Sequence, residues 1–97
     1  MHVMVSSRHA EVSPVLRDET VRKISRLGRY LSALDRAEVH FSEEQNPRIA
    51  DREVCEVTME GHGHHLRCKA AAADGFAAVD VAVQKLEHQI QRLKRRG

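Results

Sequence analysis

The chain has 97 residues, of which 41% are hydrophobic and 31% charged, with five glycines and two prolines. This describes one globular domain, residues 1–97, with a modest core, and argues against a disordered chain. No apolar run approaches a membrane span, and the opening MHVMVSSRHAEVS lacks the charged-then-apolar layout of a signal peptide, so a cytoplasmic protein is expected. The formal charge of +2 conceals a segregation: residues 22–36 and 85–97 carry ten Lys/Arg and two Asp/Glu, and the remainder six and twelve. Such a chain has a directed field rather than a uniform basicity.

The first strand is expected over residues 1–6, with Val3 and Val5 on one face and His2 and Met4 on the other. Ser13-Pro14 is a helix start, Ser as N-cap and Pro at the first helical position. Leu16, Ile24, Leu27, Leu31 and Leu34 keep helical spacing, with Thr20 in the gap, and predict a helix to about Ala33. Gly28 inside it marks either a close approach by another group or an early C-cap. Arg22, Arg26 and Arg29 form one stripe, with Lys23 beside it. Residues 37–42 alternate as a half-buried strand, 43–51 form a loop around Pro47, and 53–60 alternate again with Cys55, Val57 and Met59 inward. A two-residue His62-Gly63 turn then sets Val57 opposite Cys68 and Cys55 opposite Ala70. The thiols share the core face diagonally, which suits reduced core residues better than a bridge.

The last quarter, residues 74–97, organises the rest. Phe76, Val79, Val83, Leu86, Ile90 and Leu93 predict one buried helical stripe, with Asp74 as N-cap. The outer face begins with Ala77, Ala78 and Asp80 and ends basic: Lys85, Arg92, Arg95 and Arg96, with His88 between them and Lys94 beside them. The helix dipole alone asks for one or two cations in a last turn. The order β-α-β-β-β-α defines an α+β fold, a four-stranded mixed sheet with both helices packed on one face. That arrangement puts the basic stretches on a common surface, opposite an acidic sheet face carrying Glu38, Glu56 and Glu60.

A solvated charged face is the bland meaning of these cations, and a phosphate-binding face the functional one. Aromatics are too few for base stacking to dominate. Tyr30 alone offers an exposed platform, or else an edge of the core. The pattern therefore points to structured RNA read by backbone and shape. His62, His64, His65 and Cys68 raise a zinc site, but the strand period sends His65 outward and His64 and Cys68 inward, so a polar hairpin tip is the simpler account. No nucleotide loop, nucleophile elbow or metalloprotease motif is present, so no enzyme, cofactor or metal is expected.

Ser7-Arg8-His9-Ala10-Glu11-Val12-Ser13 resembles the Gly-Arg-His-x-Glu-Val-Thr of ribosome hibernation-promoting factors and the related ribosome-associated inhibitor. The similarity continues through Leu16-Arg17, Lys23, Arg26-Leu27 and Arg29-Tyr30. It returns in Asp74-Gly75-Phe76-Ala77-Ala78-Val79-Asp80 and in Lys85-Leu86-Glu87 with Gln89. The resemblance implies the same β-α-β-β-β-α fold. It also implies binding to ribosomal RNA of the small subunit, in the channel used by mRNA and tRNA, with translation held off in stationary phase or stress. Long members carry an extra C-terminal domain that pairs ribosomes, so this chain resembles a short member or an N-terminal domain. Position by position, the RNA-binding candidates are Lys23, Arg26, Arg29, Lys85, Arg92, Lys94 and Arg96. Arg22 and Arg95 join them on stripe geometry, Tyr30 as the platform, and His88 where Arg is usual in the family. No DNA or membrane partner is expected, and the isolated chain is expected to be a monomer. A generic structured-RNA binder and a metal-binding hairpin at residues 62–68 are the alternatives.

Overall fold

A computed structural model describes residues 1–96, with side chains described through Arg95. Strand β1 (His2–Arg8) leads to helix α1 (Pro14–Leu27), strands β2 (Arg36–Glu43), β3 (Glu53–Gly61) and β4 (His64–Ala72), and helix α2 (Gly75–Arg96). The sheet order is β1-β2-β3-β4, with β1 parallel to β2 and the other pairs antiparallel. A parallel pair needs a crossover, and α1 provides it. The expected α+β fold is the one observed.

Local chemistry explains each boundary. Ser13 Oγ accepts the Leu16 N–H at 3.1 Å, and Asp74 Oδ1 accepts the Ala77 N–H at 2.8 Å, so both helices start on side-chain caps. The β3–β4 turn uses His62 at φ 46° and Gly63 at φ 81°. This left-handed pair belongs to a type I′ turn, whose twist matches the strands it joins. Gly61 pairs with His64, and Val57 therefore faces Cys68 and Cys55 faces Ala70. At Gly61 a Cβ would lie 2.0 Å from the Ala33 carbonyl oxygen, so the hairpin end and the α1–β2 connection meet backbone to backbone.

Ala37, Val39, Phe41, Cys55, Val57, Met59, Leu66, Cys68 and Ala70 line the inner sheet face. Leu16, Ile24 and Leu27 of α1 and Val79, Leu86 and Ile90 of α2 close over them. Thr20 is fully buried in this apolar layer, and its Oγ1 donates to the Leu16 carbonyl at 2.7 Å. Burial pushes the Cys55 thiol up to about 12 and raises Cys68 as well. Both cysteines are free and sit on the core face, as their register predicts.

Two expectations are corrected. Helix α1 ends at Leu27, not near Ala33, and Gly28 is its C-cap. Beyond it the chain winds in tight turns, with N–H donors of Arg29, Tyr30 and Leu34 reaching the carbonyls of Arg26, Leu27 and Leu31. Three-residue turns keep Leu31 and Leu34 pointing at the core, so the apolar spacing continues after the helix has stopped. On α2, Ala78 and Ala82 are fully buried, while Phe76 is 41% exposed. The buried stripe is rotated toward the alanines, whose small side chains let α2 approach β3 and β4 closely. Phe76 lies in the first turn and overhangs the end of the sheet.

Candidate nucleic-acid interface

Strands β1 and β4 run in the same direction, and each is followed by a returning helix. Both helix N-termini therefore share one end of the molecule and both C-termini the other. Helix α2 has 22 residues and spans roughly 33 Å. In a body of 44 × 24 × 17 Å that length fits only the long axis.

The N-terminal end is acidic. Glu11, Glu43, Glu53 and Asp74 line an open cleft of about 1000 Å³ with Ser13 and Phe76. Burial pushes the Glu53 carboxyl above its ordinary range, and Glu43, its cross-strand partner, adds to the shift. The C-terminal end is basic. There Tyr30, Glu87, Ile90, Gln91 and Lys94 frame a groove of about 150 Å³, and the Lys94 ammonium lies 5.8 Å from the centre of the Tyr30 ring. The Asp74 cap at the start of α2 and the cations in the last turns, Arg26 of α1 and Lys94 and Arg95 of α2, have the signs the helix dipoles favour.

The expected RNA-contact residues divide into two groups. In the first, the cation is engaged within the fold. Arg22 pairs with Glu19, and Lys23 bridges Glu19 and, across the helices, Asp80. The hydrogen bond to Asp80 raises the Lys23 pKa, and the bond from Arg22 lowers that of Glu19. Lys85 Nζ donates to the Lys69 carbonyl at 2.7 Å, beside Gln89 Nε2 donating to the Arg67 carbonyl at 2.9 Å. Together they cover carbonyls on the open edge of β4.

In the second group, Arg26 and Arg29 on the α1 side and His88, Arg92, Lys94 and Arg95 on α2 are exposed. Among the described residues their side chains form no ion pair. Arg29 stands beyond the helix end, so the expected Arg22–Arg26–Arg29 stripe is broken there. Tyr30 is 55% exposed and thus a surface side chain, not a core-edge one. The side chain of Arg96 lies outside the described residues. Sequence spacing held a signal for Glu19, at i−3 and i−4 from Arg22 and Lys23. It held none for Asp80, which meets Lys23 only through packing of the helices.

The outer sheet face is not acidic as expected. Arg36 and His65 pair with Glu60, and Arg67 and Lys69 approach Glu56 at 3.5 and 4.0 Å. Arg36 holds the Glu60 carboxyl below its ordinary range. The separation of charge therefore runs along the helices rather than through the thickness of the sheet.

At the hairpin, His65 Nδ1 turns to Glu60 at 3.2 Å, while Cys68 Sγ donates to the Ala82 carbonyl at 3.6 Å in the core. Among the described residues no group of three or more His, Cys, Asp or Glu side chains is placed to hold a metal ion. No described helix is long and apolar enough to cross a membrane.

Two helices ending together over one face of a four-stranded mixed sheet, with exposed cations at that end, define an α+β domain with a basic pole. Residues 3–97 match the family described as Sigma 54 modulation protein / S30EA ribosomal protein, and the chain belongs to that family. A ribosome hibernation promotion factor of Deinococcus radiodurans is 32% identical over 95% of this chain and 48% of its own length. A ribosome hibernation promoting factor of Pseudomonas putida is 27% identical over 97% of this chain and 87% of its own length. The chain thus spans about half of some relatives, that of D. radiodurans among them, and most of others. Among solved structures, the Thermus thermophilus Protein Y N-terminal domain superposes with a TM-score of 0.78 at 30% identity, covering 96% of this chain and 99% of that one. A ribosomal subunit interface protein from Coxiella burnetii has the same fold, with a TM-score of 0.85 at 21% identity over 98% of this chain and 99% of that one.

Proposed function

We propose that this domain is a non-enzymatic translation inhibitor that binds the small ribosomal subunit and occupies the channel used by mRNA and tRNA. The observation that carries this reading is that Arg26, Arg29, Arg92, Lys94 and Arg95 are all exposed and lie in or just beyond the last turns of the two helices, which end at the same pole. Five such cations, from the end of α1, the turn after it and the end of α2, offer a broad surface to phosphates, while the acidic opposite end orients the approach. Affinity comes from counterion release, and position from the fit of a rigid domain to an RNA-lined channel. Inhibition follows from occlusion: a folded wedge in the channel excludes mRNA and tRNA without chemistry. The partner is ribosomal RNA, the setting is the cytoplasm under stress or in stationary phase, and the free chain is a monomer.

The test is co-sedimentation with purified small subunits, with and without competing tRNA. Near-stoichiometric binding that tRNA displaces is expected. Equal binding to naked duplex RNA, without competition by tRNA, would make the domain a generic RNA binder instead.

A further inference from the structure

We propose that the groove between the two helix C-termini receives one unstacked guanine of the bound RNA. Tyr30 would be its stacking platform, Glu87 and Gln91 would read its edge, and Lys94 would take its phosphate. This rests on the ribosomal-RNA reading above and adds base recognition to a surface otherwise suited only to backbone.

Three features of the groove exceed what phosphate binding requires. Tyr30 is the chain's only tyrosine, and it lies 55% exposed where the chain leaves α1. An exposed aromatic ring beside Arg26 and Arg29 offers a base the π-face that single-stranded RNA uses on protein surfaces. Glu87 is the second feature. A carboxylate repels phosphate, yet this one stands within the basic end, exposed and without an ion pair among the described residues. Its oxygens accept hydrogen bonds only, so the groove selects a group rich in N–H donors. Guanine presents two adjacent donors, N1–H and the N2 amine, to the two oxygens of one carboxylate. Uracil presents one donor, and adenine and cytosine set their amine beside an acceptor. The third feature is space: about 150 Å³, floored by the buried Ile90, is a volume that accepts one aromatic ring.

The stripe Glu87, Gln91, Lys94 follows helical spacing at i, i+4 and i+7, so all three lie along the side of α2 that meets Tyr30. The Lys94 ammonium, 5.8 Å over the ring, guards the platform in the free protein. An incoming base takes its place, and the ammonium exchanges a weak cation–π contact for the full charge of that nucleotide's phosphate. Gln91, with an amide donor and acceptor, completes the base edge.

Two experiments test this. In co-sedimentation, Tyr30→Phe keeps the platform and parental affinity, whereas Tyr30→Leu binds about 5- to 100-fold more weakly with an unchanged salt dependence. Lys94→Gln lowers the salt dependence by about one phosphate contact. Tyr30→Leu that binds as tightly as the parent would overturn the proposal while leaving channel binding standing. The second experiment needs no ribosome. The chain has no tryptophan, so its tyrosine emission reports Tyr30 alone. A uridine hexamer with one central guanosine is expected to quench it more strongly than all-uridine RNA or polyphosphate, and Glu87→Gln to erase the guanosine preference. Equal quenching by polyphosphate and by both RNAs would overturn the proposal. Failure of the parent to bind small subunits at all would overturn the function it rests on.

Discussion

The two ends of this domain are built from the same parts and carry opposite charge. Each is a place where two helices terminate over a four-stranded sheet. At the N-terminal end, the Ser13 and Asp74 caps meet the carboxylates of Glu11, Glu43 and Glu53 in an open cleft. At the C-terminal end, the exposed cations outnumber what the dipoles require, and among the described residues they find no carboxylate partners. The contrast separates cations engaged within the fold from cations without a carboxylate partner among the described residues. Lys23 and Lys85 carry the same unit charge as Arg92, but their ammonium groups are occupied by Asp80 and by the Lys69 carbonyl. A cation held within the fold staples it; a cation without a partner is available to a ligand.

Reversing charge at each end is the sharpest way to break the comparison. Arg92→Glu with Arg95→Glu is expected to weaken small-subunit binding by about 100-fold or more, the loss of two charge-assisted contacts. Asp51→Lys, in the exposed β2–β3 loop near the acidic end, is expected to leave binding intact or tighten it. Both are read by co-sedimentation of variants whose circular dichroism matches the parent. Tightening by Asp51→Lys as large, per unit of charge, as the loss from the arginine pair would mean that total charge, not its placement, controls association.

Stability separates the ends next. Gly61→Ala forces a Cβ onto the Ala33 carbonyl and is expected to cost about 1–3 kcal/mol in urea denaturation, the range of overpacking. It also disturbs the connection that follows Tyr30. At the other end Ser13→Ala removes the α1 cap and is expected to cost about 1 kcal/mol without touching the basic surface. A double-mutant cycle on Lys23 and Asp80 should give the smallest effect, a coupling below about 1 kcal/mol that weakens with salt, as for other partly exposed pairs.

The core beneath both ends makes a separate prediction. The Cys55 thiol is raised from 9.0 to about 12 by burial, so the folded state prefers the protonated form. The sign follows: this contribution is intact below pH 9.0 and stability falls as pH rises from there toward about 12. Neither thiol should react with a disulfide reagent at pH 8 until the chain is unfolded in urea, when both should.

What the sequence revealed was local or periodic. The helix starts at Ser13 and Asp74, the hairpin register around His62-Gly63, and the strand order were all legible, because caps, turns and alternation lie within a few residues of one another. The end of α1 was harder to read: Leu31 and Leu34 stay on the core side through tight turns, so periodicity outlasted the helix. Ala78 was misread because burial there depends on how closely α2 approaches the sheet. The paired state of Glu56 and Glu60 was hidden because Arg67, Lys69 and Arg36 reach them across strands, not along one. Within the candidate site, the cations were visible as a run, but which of them were occupied depended on Asp80 and on the β4 edge. Those contacts exist only once the helices have docked.

The most direct test of the central claim is the salt dependence of small-subunit binding by the parent chain. If Arg26, Arg29, Arg92, Lys94 and Arg95 each meet a phosphate, a plot of log affinity against log salt should fall with a slope of roughly −4. A slope near zero, or no binding at low salt, would contradict the account.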